Sequence, residues 1–184
     1  MPLQIVNVLT TTENSSVCAK ERTLMTTPDE KTLATLTKLF EEEFGPIGDR
    51  QVLYVHAPGR SEISGNHTDH QRGCVVAASI NLDMIAAAAK NDCNCVRIKS
   101  EGFDFQQVDL SDLSVHPDEV NTTPALIRGI AAIFREKGYA SGGVDLCVSS
   151  EVLRGSGLSS SAAFEVLIGT VFSCLYNDNA LSPV

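Results

Sequence analysis

Two glycine-bearing segments hold the residues whose types and spacing suit chemistry. The first runs Ala57-Pro58-Gly59-Arg60 and on to Asn66-His67-Thr68-Asp69-His70. Gly59 lets backbone approach a ligand closely. The Arg60 guanidinium offers a planar fork of donors that matches phosphate oxygens. Asn66, His67 and Asp69 crowd donors and acceptors into one short tract, and an ionised Asp69 can accept from two adjacent hydroxyls, so the tract suits a polyol. Two other readings stay open on these residues. His67, Asp69 and His70 are possible metal ligands, although they lack the helical i, i+4 spacing of zinc motifs. The tract could also be a turn whose polar side chains cap its own backbone.

The second segment is Gly155-Ser156-Gly157-Leu158-Ser159-Ser160-Ser161-Ala162-Ala163. Glycines at 155 and 157 permit a turn whose successive N–H groups point inward as an anion-binding nest. A helix opening just after it adds its positive end and its unpaired N–H groups. The serines can cap that helix, donate to phosphate, or ligate magnesium, which prefers oxygen. Arg154 could face the same anion, and Glu165 falls inside the helix. The segment is not a Walker loop, since no Gly-Lys-Ser/Thr follows, and its spacing is not that of the dinucleotide fingerprint. A glycine-rich turn with a serine cap is the plainer alternative. A polyol site beside a polyphosphate site implies phosphoryl transfer.

These segments need elements to hold them. Residues 1–26 are polar and aperiodic and read as a lead-in arm. Thr27, Pro28 and Glu30 predict a helix start, with Thr27 as cap. Leu33, Leu36, Phe40 and Phe44 repeat at helical spacing, Glu41, Glu42 and Glu43 form a solvated face, and Gly45 ends the helix. Gln51–Ala57 alternates as a strand that Pro58-Gly59 should stop, leaving Arg60–Gly73 as a long polar loop. Cys74–Ile80 suits helix or strand. Asp83–Ala89 and Cys95–Ser100 read as a strand pair turned by Lys90–Asn94, and Phe103–Leu110 alternates again. Thr123-Pro124 opens a second helix with the stripe Leu126, Ile127, Ile130, Ile133 and Phe134, and Gly138 lies beyond its end. Val144–Val148 is a strand, and a third helix runs from about Ser159 to Tyr176. The mixture predicts an α+β domain.

Composition narrows the function classes. The 184 residues are 43% apolar and 20% charged, enough for a real core. Fourteen basic against 23 acidic residues give a net charge of −9, and without a basic block nucleic acid is a poor partner. No apolar run reaches the roughly 18 residues of a membrane span. The N-terminus lacks the pattern of a signal peptide, so a cytoplasmic location is expected. Six cysteines are scattered without any Cys-x-x-Cys pair. They read as small buried hydrophobes in a reducing compartment, with Cys93 and Cys95 leaving a vicinal thiol pair open on one strand face.

Together the two segments resemble the superfamily of galacto-, homoserine, mevalonate and phosphomevalonate kinases, and its galactokinase branch in particular. The family signature Pro-Gly-Arg-x-Asn-Leu-Ile-Gly-Glu-His-x-Asp-Tyr stands here as PGRSEISGNHTDH, Pro58 to His70. The family phosphate motif stands as GLSSSAAFE, Gly157 to Glu165. Asn66 replaces the family Glu, Glu62 and Ser64 replace Asn and Ile, and His70 replaces Tyr. The resemblance extends from about residue 50 to the C-terminus.

The resemblance implies an ATP-dependent sugar 1-kinase, with D-galactose as substrate and Mg2+ as cofactor. Arg60 would lie near the transferred phosphoryl group as the catalytic residue. Asn66, His67 and Asp69 would bind sugar. Gly155, Ser156, Gly157, Leu158, Ser159, Ser160 and Ser161 would surround the ATP phosphates, with Ser160 on magnesium. The partners implied are a small sugar and ATP, with no nucleic acid or membrane and with possible self-association of a fragment. Alternatives are a kinase for a related sugar such as N-acetylgalactosamine, and a non-catalytic sensor of galactose and ATP. The implied fold is a ribosomal-S5-domain-2-like α+β sandwich with a left-handed crossover. Residues 27–184 would form a truncated N-terminal kinase domain, inactive alone, with the catalytic aspartate and C-terminal domain outside this chain.

Overall fold

The computed structural model describes residues 4–7, 28–65, 74–153 and 155–181. Six strands form one sheet in the order β1-β2-β3-β6-β4-β5. They are β1 (Gln4–Asn7), β2 (Leu53–Ser64), β3 (Val76–Lys90), β4 (Cys95–Ser100), β5 (Gln106–Asp109) and β6 (Val144–Ser150). Among the described residues three α-helices accompany them: α1 (Glu30–Phe44), α2 (Thr123–Glu136) and α3 (Ser160–Tyr176). The mixed α+β class expected from the sequence holds. Within the segment read as a lead-in, β1 pairs in parallel with β2.

The expected pairing of Asp83–Ala89 with Cys95–Ser100 does not occur. β6 lies between them, antiparallel to β3 and parallel to β4. The cause is visible in its residues. Val144, Leu146 and Val148 point to one face and Cys147 to the other, and all are buried. A strand buried on both faces belongs at the centre of a sheet.

Helices cover both faces. Leu53, Val55, Ala57, Met84, Ala86, Ala88, Leu146 and Val148 meet α2 and α3 through Ile127, Phe134, Phe164, Leu167, Ile168 and Phe172. On the opposite face Tyr54, Ile85, Ala87, Ala89 and Cys147 meet Leu36 and Phe40 of α1. The run Ala86–Ala89 is buried on both sides, where small side chains let both helical layers approach.

Local chemistry sets the helix ends. α1 is capped by Asp29, not the expected Thr27; the Asp29 carboxylate accepts from Thr32 N–H at 2.6 Å. Thr122 caps α2, with Pro124 in the first turn. The α2 stripe buries Ile127, Ala131 and Phe134 but leaves Ile133 56% exposed, so Ile133 is not the core residue the spacing suggested. Among the described residues no helix is long and apolar enough to cross a membrane.

One buried charge fastens the far end of the sheet. Asp145 on β6 is fully buried. It accepts from Arg97 Nε at 2.6 Å and Nη2 at 2.7 Å, from Asn91 Nδ2 at 2.8 Å, and from Arg50 Nη2. Burial alone would push its carboxyl up. The donors from Arg97, Asn91 and Arg50 outweigh burial and hold it below the ordinary value. Both guanidinium groups also stack on aromatic faces, Arg50 over Phe40 and Arg97 over Phe44.

Candidate functional site

The first segment is more strand than loop. β2 does not stop at Pro58-Gly59 but continues to Ser64, with register shifts against β3 between Pro58 and Arg60 and between Glu62 and Ser64. At the first shift Pro58 stays in register opposite Asp83, and the extra residues of this bulge lie on β3, between Ser79 and Asp83. Arg60 then faces Ser79 of β3, and Ser64 faces Val76. Gly65 has φ 124°, and a Cβ there would lie 2.7 Å from Val75 Cα, so only glycine fits at the end of β2, beside the start of β3. Asn66, His67, Asp69 and His70 lie outside the described residues, as does Arg154.

The second segment leaves β6 through Val152, which is buried, and opens α3 at Ser160. Gly155 and Gly157 take φ of 74° and 76°. A Cβ at either would meet nothing within 4 Å, so the left-handed backbone, not crowding, calls for glycine there. Ser159, the α3 N-cap, has φ 60° and ψ 48°, a conformation that costs a non-glycine residue roughly 1 kcal/mol. Its carbonyl accepts from Ala163 N–H at 3.0 Å, but its hydroxyl makes no capping bond.

That hydroxyl has another use. Arg60 Nε donates to Ser159 Oγ at 3.0 Å, and Arg60 N–H donates to Leu158 O at 3.1 Å. Gly59 permits the approach. A Cβ on it would lie 3.1 Å from Leu158 O, 3.2 Å from Ile80 Cδ1 and 3.2 Å from Val152 Cγ1. The two segments singled out in the sequence therefore touch through Gly59–Arg60 and Leu158–Ser159. The guanidinium sits at the mouth of a glycine-rich turn that opens a helix. An anion placed there would meet the helix dipole, the N–H groups of the first turn, the hydroxyls of Ser160 and Ser161, and a fixed cation.

A titratable pair borders the bulge, and the motifs gave no signal of it. Asp83 on β3 faces Pro58, and its Oδ2 is 3.4 Å from Nδ1 of the buried His56. Burial pushes the Asp83 carboxyl up, His56 pulls it back, and Glu151 adds repulsion. Among the described residues no group of three or more His, Cys, Asp or Glu could hold a metal ion. The metal reading of His67-Thr68-Asp69-His70 lies outside them.

Comparison with known proteins agrees with this geometry. The galactokinase galactose-binding signature matches residues 38–90, and the N-terminal domain of the GHMP kinases matches residues 125–183. The chain is 32% identical to a Lactococcus lactis galactokinase solved in complex with galactose, with a TM-score of 0.72 over 82% of this chain. The match takes in 39% of that protein, so the chain spans well under half of its relative's length. A Methanococcus jannaschii mevalonate kinase is 15% identical over 72% of this chain, with a TM-score of 0.54 and 42% of its own length covered. A D-glycero-D-manno-heptose 1-phosphate kinase from Bacteriodes thetaiotaomicron is 20% identical over 67% of this chain and 41% of its own, with a TM-score of 0.51. The last two likenesses concern the fold alone.

Proposed function

Since the chain belongs to the GHMP kinases as a galactokinase-like N-terminal region, we propose that it supplies the sugar and phosphate walls of an ATP-dependent 1-kinase acting on D-galactose. The observation that carries this reading is the junction of Arg60 with Ser159 and Leu158, which sets a cation beside a glycine-rich helix N-terminus. Phosphoryl transfer asks a protein mainly for positioning and for charge opposite the equatorial oxygens. Arg60, the turn Gly155–Ser159 and the first turn of α3 offer both.

Each residue has a part in this proposal. Gly155, Ser156, Gly157 and Leu158 shape the turn around the ATP phosphates. Ser159 holds Arg60, and Arg60 offsets charge on the phosphoryl group in transit. Ser160 and Ser161 present hard oxygen donors at the helix start, the chemistry magnesium takes, with Ser160 as the metal ligand. Magnesium, when bound, neutralises phosphate charge. Asn66, His67 and Asp69 bind the sugar, with Asp69 accepting from ring hydroxyls and so distinguishing epimers.

Calorimetric titration with galactose, glucose and a non-hydrolysable ATP analogue with Mg2+ tests these assignments. The expected result is galactose binding that Asp69→Ala abolishes, and nucleotide binding that Arg60→Ala and Ser160→Ala weaken. Equal binding of galactose and glucose, or sugar binding indifferent to Asp69, would remove the sugar assignment. Nucleotide binding unaffected by either of the other two variants would remove the phosphate assignment.

A further inference from the structure

We propose that Cys93 and Cys95 form a thiol–disulfide exchange site whose substrate is a low-molecular-weight disulfide. The two sulfurs are bonded across a single intervening residue. The expectation of a small buried hydrophobe holds for Cys95, the first residue of β4, but not for Cys93, which sits exposed in the bend after β3. An exposed thiol beside a buried one divides the work of exchange: the outer sulfur meets the reagent and the inner one resolves it.

The bond is not what holds this part of the fold. Closing so short a loop removes little freedom from the unfolded chain. The bend is already fixed by other groups. Asn91 N–H donates to Gly143 O at 3.0 Å, and Leu110 N–H donates to Asn94 O at 2.9 Å. Asn91 Nδ2 donates to Asp145 Oδ1 at 2.8 Å and to Cys95 O at 3.2 Å, while Asn91 Oδ1 accepts from Cys93 N–H at 3.2 Å. A Cβ on Gly143 would overlap the Cys93 carbonyl, so the bend packs directly on the start of β6. The scaffold therefore keeps both sulfurs together whether or not they are bonded.

Asn91 also provides for the reduced state. Its Oδ1 lies 3.3 Å from Cys93 Sγ, in place to accept from the S–H that exists only in the dithiol. The other described cysteines are poor competitors for an internal bond. The Cys147 thiol is buried and pushed up to about 12, burial also raises the half-buried Cys174, and Cys74 is exposed.

The chemistry balances without further reactants. The Cys93 thiolate attacks one sulfur of a small disulfide, and the first small thiol leaves. The Cys95 thiolate then attacks Cys93 Sγ and expels the second. The protein loses two protons and two electrons, and the small disulfide gains them as two thiols.

Glutathione redox buffers test the proposal on the 184-residue chain with Cys18→Ser and Cys74→Ser. After acid quenching and alkylation, mass spectrometry reads the intact protein and the peptide containing residues 93 and 95. The expected product is two hydrogens lighter, linked 93 to 95, with a midpoint that does not move with protein concentration. Adding Cys95→Ser should trap a glutathione adduct on Cys93. Adding Cys93→Ser instead should leave Cys95 with roughly tenfold less adduct, as its burial requires. Full alkylation of both cysteines in every buffer would overturn the proposal. So would bonds between chains, or equal adducts in the two single variants.

Discussion

Arg60 and Ser159 are 99 residues apart in sequence, yet Arg60 Nε donates to Ser159 Oγ at 3.0 Å. One of the five guanidinium donors is thus committed to the protein, which fixes the plane of the group. The acceptor is itself fixed, because Ser159 holds a left-handed backbone at the start of α3. Replacing Ser159 with Ala should lower kcat of the whole protein roughly tenfold to a hundredfold through loss of Arg60 orientation. The KM for nucleotide should move less. Steady-state kinetics would check the split.

The left-handed conformation gives a second, independent test. Ser159→Gly and Ser159→Ala both remove the hydroxyl, but only glycine relieves the strained φ. Urea denaturation should find the glycine variant more stable than the alanine variant by about 1 kcal/mol. Equal stability would mean that the backbone at 159 carries no strain.

Gly59 governs the contact between the two segments. Its added Cβ would press on Leu158 O and Val152 Cγ1 at 3.1 and 3.2 Å. Gly59→Ala should therefore destabilise by about 1–3 kcal/mol, as overpacking does, and should weaken nucleotide binding without touching a ligand. Denaturation and calorimetry on the same variant would show both effects.

Asp145 and Asp83 should respond to pH with opposite signs. The Asp145 carboxyl is held below its ordinary value of 3.8, so its stabilisation is present above that pH. It is lost as pH falls toward the folded value. Asp145→Asn should cost about 3–5 kcal/mol at neutral pH, since it leaves Arg97 and Arg50 facing an uncharged group, and the deficit should shrink in acid. Asp83 is raised above 3.8, so the folded state favours its protonated form. Its cost appears as pH rises from 3.8 through the folded value. Asp83→Asn should gain stability relative to the parent over that window. Chemical denaturation across the acid range would reveal both slopes.

Much of this fold is legible in the sequence because the signals are local. Leu36 and Phe40 at helical spacing, Pro124 near the start of α2 and Gly138 after its end each act through nearby backbone. Strand partnership is not local. Nothing within Asp83–Ser100 says that β6 will lie between β3 and β4; that goes with the burial of both faces of a segment some fifty residues later. Pro58 and Gly59 ordinarily mark a turn and so obscure the end of β2; here they stay inside the strand, and the bulge opposite them lies on β3. At the site, residue types pointed to Arg60 and to the serine loop. Their direct contact, and the Asp83–His56 pair beside them, depend on long-range packing that no motif encodes.

The central claim is sugar phosphorylation, and sugar-dependent ADP release by the whole protein tests it most directly. With ATP and Mg2+, galactose should support turnover and glucose should not, and Arg60→Ala should lower kcat by about a hundredfold or more. Binding of both galactose and ATP without turnover, or ADP release indifferent to the sugar supplied, would contradict the account.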